Sequence, residues 1–135
     1  MNKEFPLAHL WLGRAYQQKS MYKDAIEEIK NAERGVAGWV VAIAAAGNVF
    51  GLSGNADETR VLLRRLGELS KGKYVTPYGV ALIWAGLGDR DQAFAWLNKA
   101  LADRSHWLVW LKIDPRWDPI RSDSRFDELV SRVGL

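Results

Sequence analysis

Residues 12–32, LGRAYQQKSMYKDAIEEIKNA, decide the fold. Within them Gly13, Tyr16, Ser20, Ala25 and Ala32 form a series of small, aromatic, turn, small and small residues. The series returns 34 residues on as Gly47, Phe50, Gly54, Thr59 and Leu66, and again as Ala81, Trp84, Gly88, Ala93 and Ala100. Five columns hold one register without an insertion. A 34-residue period with this chemistry is the pattern of a helix–turn–helix solenoid. Such folds recognise other polypeptides and seldom do chemistry, so the period points to a kind of function without naming a partner.

Working outward, apolar residues at three and four spacing predict helix pairs over about 6–18 and 22–34, 37–52 and 56–70, and 77 onward followed by 89–102. Leu7, Leu10, Trp11 and Ala15 mark the buried face of the first helix, and Val61, Leu62, Leu66 and Leu69 that of the fourth. Gly35 is placed to end the second helix as a left-handed cap. Asn55 with Glu58, and Asp89 with Gln92, have the spacing of capping boxes. Thr76 before Pro77 reads as a cap and first helical position, three residues later than the register of the other pairs.

The tail from Trp107 to Leu135 breaks the period. An apolar segment around Trp107–Ile113 precedes turns forced by Asp114-Pro115 and Asp118-Pro119, and a last helix spans about 124–133, stopped by Gly134. A solenoid's final repeat leaves an apolar face open, and this tail is its expected cover.

These residues resemble the tetratricopeptide repeat. Leu12-Gly13, Tyr16, Tyr22, Ala25 and Ala32 stand where that family places its Leu-Gly, aromatic and alanine positions. The second repeat departs at Thr59 and Leu66, the family's tryptophan column holds His9, Ile43 and Pro77, and its closing proline is absent from all three repeats. The resemblance covers about residues 6–107. It implies an all-α, right-handed superhelical solenoid of three such pairs (about 6–39, 40–73 and 74–107) plus a short C-terminal capping helix in 107–135. The tail is similar to an ending common on bacterial arrays of these repeats, which often stand behind a kinase, cyclase or DNA-binding module. That likeness leaves open that the chain is the terminal part of a longer signalling or regulatory protein.

The resemblance also implies a non-enzymatic protein-binding scaffold with a ligand groove on the first helix of each pair. By register that groove is lined by Leu7, Leu10, Trp11, Arg14 and Gln17, then Val41, Ala44, Ala45 and Asn48, then Tyr78 and Leu82. Apolar anchors with a few polar groups suit an extended or helical peptide, and Arg14 and Asn48 are the groups able to fix a backbone or carboxylate. Packing between neighbouring helices is the competing fate of the apolar members. The carboxylate clamp by which some family members hold chaperone tails needs lysines, and the matching positions, Leu10, Arg14, Asn48, Val75 and Gly79, have none.

Composition narrows the alternatives. With 135 residues, 48% hydrophobic and 26% charged, the chain can bury a core and is not a disordered segment. The net charge of +3 is thinly spread apart from Arg60, Arg64, Arg65, Lys71 and Lys73, short of a nucleic-acid stripe. There is no cysteine, so no disulfide or thiolate zinc site, as expected of a cytoplasmic chain. Met1 to Pro6 is charged and has no apolar targeting core. The uncharged stretch 35–56 holds five glycines, two asparagines and a serine and keeps the repeat register, which argues against a membrane span.

His9 and His106 lack a second ligand at helical spacing, and Asp114, Asp118 and Asp123 lack the glycine and glutamate of a calcium loop, so neither metal nor cofactor is expected. These aspartates read as caps and turns. No nucleophile arrangement or phosphate loop is present, so no enzyme is expected. Trp84 and Trp96 fall on inward positions, and Trp107, Trp110 and Trp117 on a tail that must bury itself. Self-association through an exposed apolar surface is the first competing function, and binding of RNA by a helical repeat the second.

Overall fold

Each stretch with three-and-four apolar spacing is an α-helix in the computed structural model, which describes residues 5–135. Residues 1–4, part of the Met1 to Pro6 stretch read above as having no targeting core, lie outside the described part. The helices are α1 (Pro6–Gln18), α2 (Tyr22–Gly35), α3 (Val40–Leu52), α4 (Ala56–Leu69), α5 (Pro77–Gly86), α6 (Arg90–Ala102) and α7 (Ser124–Val133). Two 3₁₀ helices, His106–Trp110 and Pro115–Ile120, lie between α6 and α7. The described residues contain no strand, and the chain is all-α. No described helix is long and apolar enough to cross a membrane.

Consecutive helices fold back on one another, and three of the turns are copies. Ser20, Gly54 and Gly88 have φ of 58°, 85° and 81°. Beyond each, an amide reaches back to a helix carbonyl: Met21 to Tyr16 at 2.9 Å, Asn55 to Phe50 at 2.8 Å and Asp89 to Trp84 at 3.0 Å. The 34-residue spacing is thus repeated in backbone geometry, with a left-handed residue satisfying carbonyls that the helix end leaves free.

Small residues set how near the helices come. A Cβ on Gly13 would lie 2.8 Å from Ile29 Cγ1, so α1 and α2 meet at bare backbone. The contact of α3 with α5 is tighter: a Cβ on Gly86 would lie 2.5 Å from the Asn48 carbonyl oxygen, and one on Gly51 2.7 Å from the Gly86 carbonyl carbon. Around these contacts lie three core regions. Leu10, Ile29, Ala42 and Val49 join α1, α2 and α3; Ile43, Leu66 and Ile83 join α3, α4 and α5; Leu82, Phe94 and Leu97 join α5 and α6 to the tail.

The tail covers the last pair as expected, with Leu108, Leu111, Trp117, Ile120, Phe126 and Leu129 buried in that third region. Asp123 caps α7 by accepting from the Arg125 amide at 3.0 Å, and Gly134 ends it at φ 90°.

Several local expectations fail. Gly35 is the last residue of α2 and the left-handed residue is Gly38 (φ 72°), because a turn from Val36 to Trp39 delays α3 to Val40. Asn55 makes no side-chain cap and its amide turns to Ser53 Oγ instead, whereas Asp89 caps α6 through the Gln92 amide at 3.0 Å. Leu7, Trp11, Ala15 and Val61 are exposed rather than inward. The first three recur at four-residue spacing along one side of α1 and are left uncovered.

Candidate functional site

The residues expected to line one groove divide into two sets. Leu10, Gln17, Asn48, Tyr78 and Leu82 are buried, together with Ala44 and Ala45; Val41 and Arg14 are half-buried; Leu7 and Trp11 are exposed. Asn48 is a strut and not a ligand-orienting group. Its side-chain oxygen accepts from Gln17 Nε2 at 2.6 Å and its amide donates to the Leu82 carbonyl at 2.6 Å, joining α1, α3 and α5. Buried, paired amides of this kind fix the registration of helices. Gln17 Oε1 is buried without a partner among the described residues.

The remaining groove is filled by the chain itself. The tail returns against α5 and brings Asp114 between Tyr78 of that helix and Arg14 of α1. Asp114 Oδ2 accepts from the Tyr78 hydroxyl at 2.8 Å and from Arg116 Nη2 at 2.8 Å, and Oδ1 accepts from Arg116 Nε and the Arg116 amide, each at 3.0 Å. The Tyr78 oxygen in turn accepts from Trp117 Nε1 at 2.8 Å, with the two rings edge to face at 5.1 Å. Arg121 closes the loop from outside, donating to the Asp114 and Lys112 carbonyls at 2.8 Å. A carboxylate read from sequence as a turn residue is therefore the hub of a buried network.

The electrostatics follow from burial. Burial alone would raise the Asp114 carboxyl, but the hydrogen bonds and charge of Arg116 and the Tyr78 hydroxyl outweigh it and hold the group below the usual carboxylate range. Burial and the neighbouring Asp114 charge push the Tyr78 phenol well above its ordinary value. Arg14 is lowered, first by burial and then by the Arg116 charge, with Asp114 only partly offsetting both. Its Nη2 stands 3.6 Å from Asp114 Oδ1, and its guanidinium lies over the Trp11 ring at 4.8 Å. Among the described residues it completes no hydrogen bond, so donors remain for another molecule.

Between α1 and the tail this leaves an open cleft of about 270 Å³, lined by Trp11, Arg14, Trp107, Trp110, Ile113 and Arg116 among others. Its rim is apolar and open to solvent: Trp11 is 56% exposed, Trp110 51% and Ile113 67%. Two arginines against one aspartate give the floor a surplus positive charge. Of the sequence-derived set, Trp11 and Arg14 line this cleft with Leu7 nearby; Trp107, Trp110, Ile113 and Arg116 are additions. Only the tail's amphipathic composition hinted at them, because a tail expected to cover the last repeat was not expected to reach the first. Comparison with protein-family models, curated proteins and solved structures finds no match.

Proposed function

We propose that the chain is a non-enzymatic protein–protein interaction domain, a solenoid of three tetratricopeptide-type pairs whose binding site is the cleft between α1 and the tail. The observation that carries this reading is the exposed apolar rim of Trp11, Trp110 and Ile113 around the half-buried, incompletely bonded Arg14. Contiguous exposed aromatic surface is rare on a monomer without a partner. The arginine fits a carboxylate or backbone carbonyl and the tryptophans an apolar side chain, so the ligand is a short peptide segment carrying both. The likeness of the tail to an ending common on bacterial arrays supports a cytoplasmic scaffold role within a larger regulatory protein.

The same exposed rim favours one second reading, pairing of two copies about a twofold axis. Capture of partners on immobilised wild-type chain, compared with Trp11→Glu and Arg14→Ala, tests the first. Light scattering across concentration tests the second. Partners recovered by wild type alone, from a monomeric protein, establish the cleft as a receptor site. A concentration-dependent dimer abolished by Trp11→Glu establishes self-association. Equal recovery by all three proteins removes the cleft from recognition.

A further inference from the structure

A second opening, larger than the α1–tail cleft, lies on another face. Between α4 and α6 lies a cleft of about 610 Å³, within the range of ligand-binding sites. Its floor is apolar, from Leu66, Val80 and the half-buried Trp84 and Trp96, and its rim carries Arg64, Lys73 and Lys99 against the single acid Asp103.

The repeat explains why it is open. One step earlier, the helices α2 and α4 are tied by an ion pair between Glu33 and Arg65. Moving both residues on by 34 gives Gly67 and Lys99. The cation is kept and the carboxylate is gone. Lys99 lies over the Trp96 ring at 4.7 Å and pairs with no carboxylate among the described residues. Gly67 sits inside α4, where glycine costs about 1 kcal/mol relative to alanine. A Cβ there would meet nothing within 4 Å, so no internal packing requires the glycine.

We propose that the α4–α6 cleft is a second docking site, and that its occupant is an acidic amphipathic helix of a partner protein, with a carboxylate meeting Lys99 where Glu33 meets Arg65. The apolar floor takes the helix's hydrophobic stripe and the three rim cations take its flanking acids. Gly67 lets the incoming helix approach the α4 backbone closely. The site shares no lining residue with the α1–tail cleft, so its standing is independent of that reading.

The probe is a displayed library of helical peptides, selected on the intact chain and counter-screened on variants. Two closures differ in chemistry: Gly67→Glu restores the missing ion pair with Lys99, and Gly67→Phe fills the cleft with an apolar ring. Thermal unfolding confirms that each variant folds. Lys99→Glu reverses the rim charge without altering the floor, and Trp11→Glu is the control for the other site. Selected sequences should be acidic and amphipathic, should lose on the order of tenfold or more in affinity to Gly67→Glu and Lys99→Glu, as charge-paired contacts do, and should keep it against Trp11→Glu. A selection that yields no binder sensitive to Gly67→Glu, or whose binders are basic or lose affinity with Trp11→Glu alone, overturns the proposal.

Discussion

The Tyr78 hydroxyl donates to Asp114 at 2.8 Å across 36 residues of sequence, and this bond helps tie α5 to the tail. The phenol is also the acceptor for Trp117 Nε1, so the oxygen is used in both directions. Tyr78→Phe should cost about 1–3 kcal/mol in urea unfolding, because two buried groups lose a partner together. Trp117→Phe in the same background should then cost less than it does alone, since its indole N–H has already lost its acceptor.

Asp114→Asn keeps the shape and removes the charge. Arg116 and Arg14 would be left facing one another around a neutral amide. Breaking a buried pair in this way costs about 3–5 kcal/mol. Hydrogen exchange should show residues 107–121 opening first, while α2 and α3 keep their protection.

Two displaced titrations within the buried network bound stability on both sides. Asp114 is depressed in the folded state, so its contribution is complete above the ordinary carboxylate pKa of about 3.9 and is lost as pH falls below it. Tyr78 is raised, so the folded state holds its proton more tightly and stability declines as pH climbs past about 10. Chemical denaturation between pH 2 and 11, spanning about the reference values of both groups, should give a plateau with two shoulders. Tyr78→Phe should remove the alkaline one. An alkaline shoulder unchanged by that substitution would show that another group sets it.

Gly86→Ala places a methyl against the Asn48 carbonyl, backbone that cannot turn aside. Helices α3 and α5 must separate, at about 1–3 kcal/mol or more. Gly67→Ala, in open space, should stabilise by about 1 kcal/mol through helix propensity alone. The opposite signs of two Gly→Ala changes in one chain are the check.

Ser20 holds at φ 58° the backbone position that glycine fills in the other two copies of the turn. Ser20→Gly should relieve part of the roughly 1–2 kcal/mol that a side chain costs there. The melting temperature of the variant reads it directly.

What could be read beforehand, and what could not, divides along the range of the interactions. Helices α1 to α6 and the late start of α5 follow from local spacing and from Pro77, and α7 from its stripe of Phe126, Leu129, Val130 and Val133. The fate of Trp11 was not local. Its spacing with Leu7 and Ala15 marks one stripe of a helix, but whether that stripe is covered depends on a neighbour that α1 lacks. Asp114 is the clearest case. Before a proline it looks like any turn residue, and nothing nearby shows that its carboxylate ends against Tyr78. Asn48 stands out in sequence as a polar residue among apolar ones, but its direction does not, since its amide points between helices and not out of them.

The placement of the tail changes what counts as the movable unit of this protein. Hairpins of an array can ordinarily be added or removed one at a time, since each meets only its neighbours. Here one segment leans on α5 with Trp117 and reaches Arg14 of α1 with Asp114. Inserting a fourth pair would carry that segment away from α1 and dissolve the cleft, even if every hairpin folded as before. If the cleft is the binding site proposed above, the number of helix pairs and the shape of that site are set together, because one segment of chain completes both.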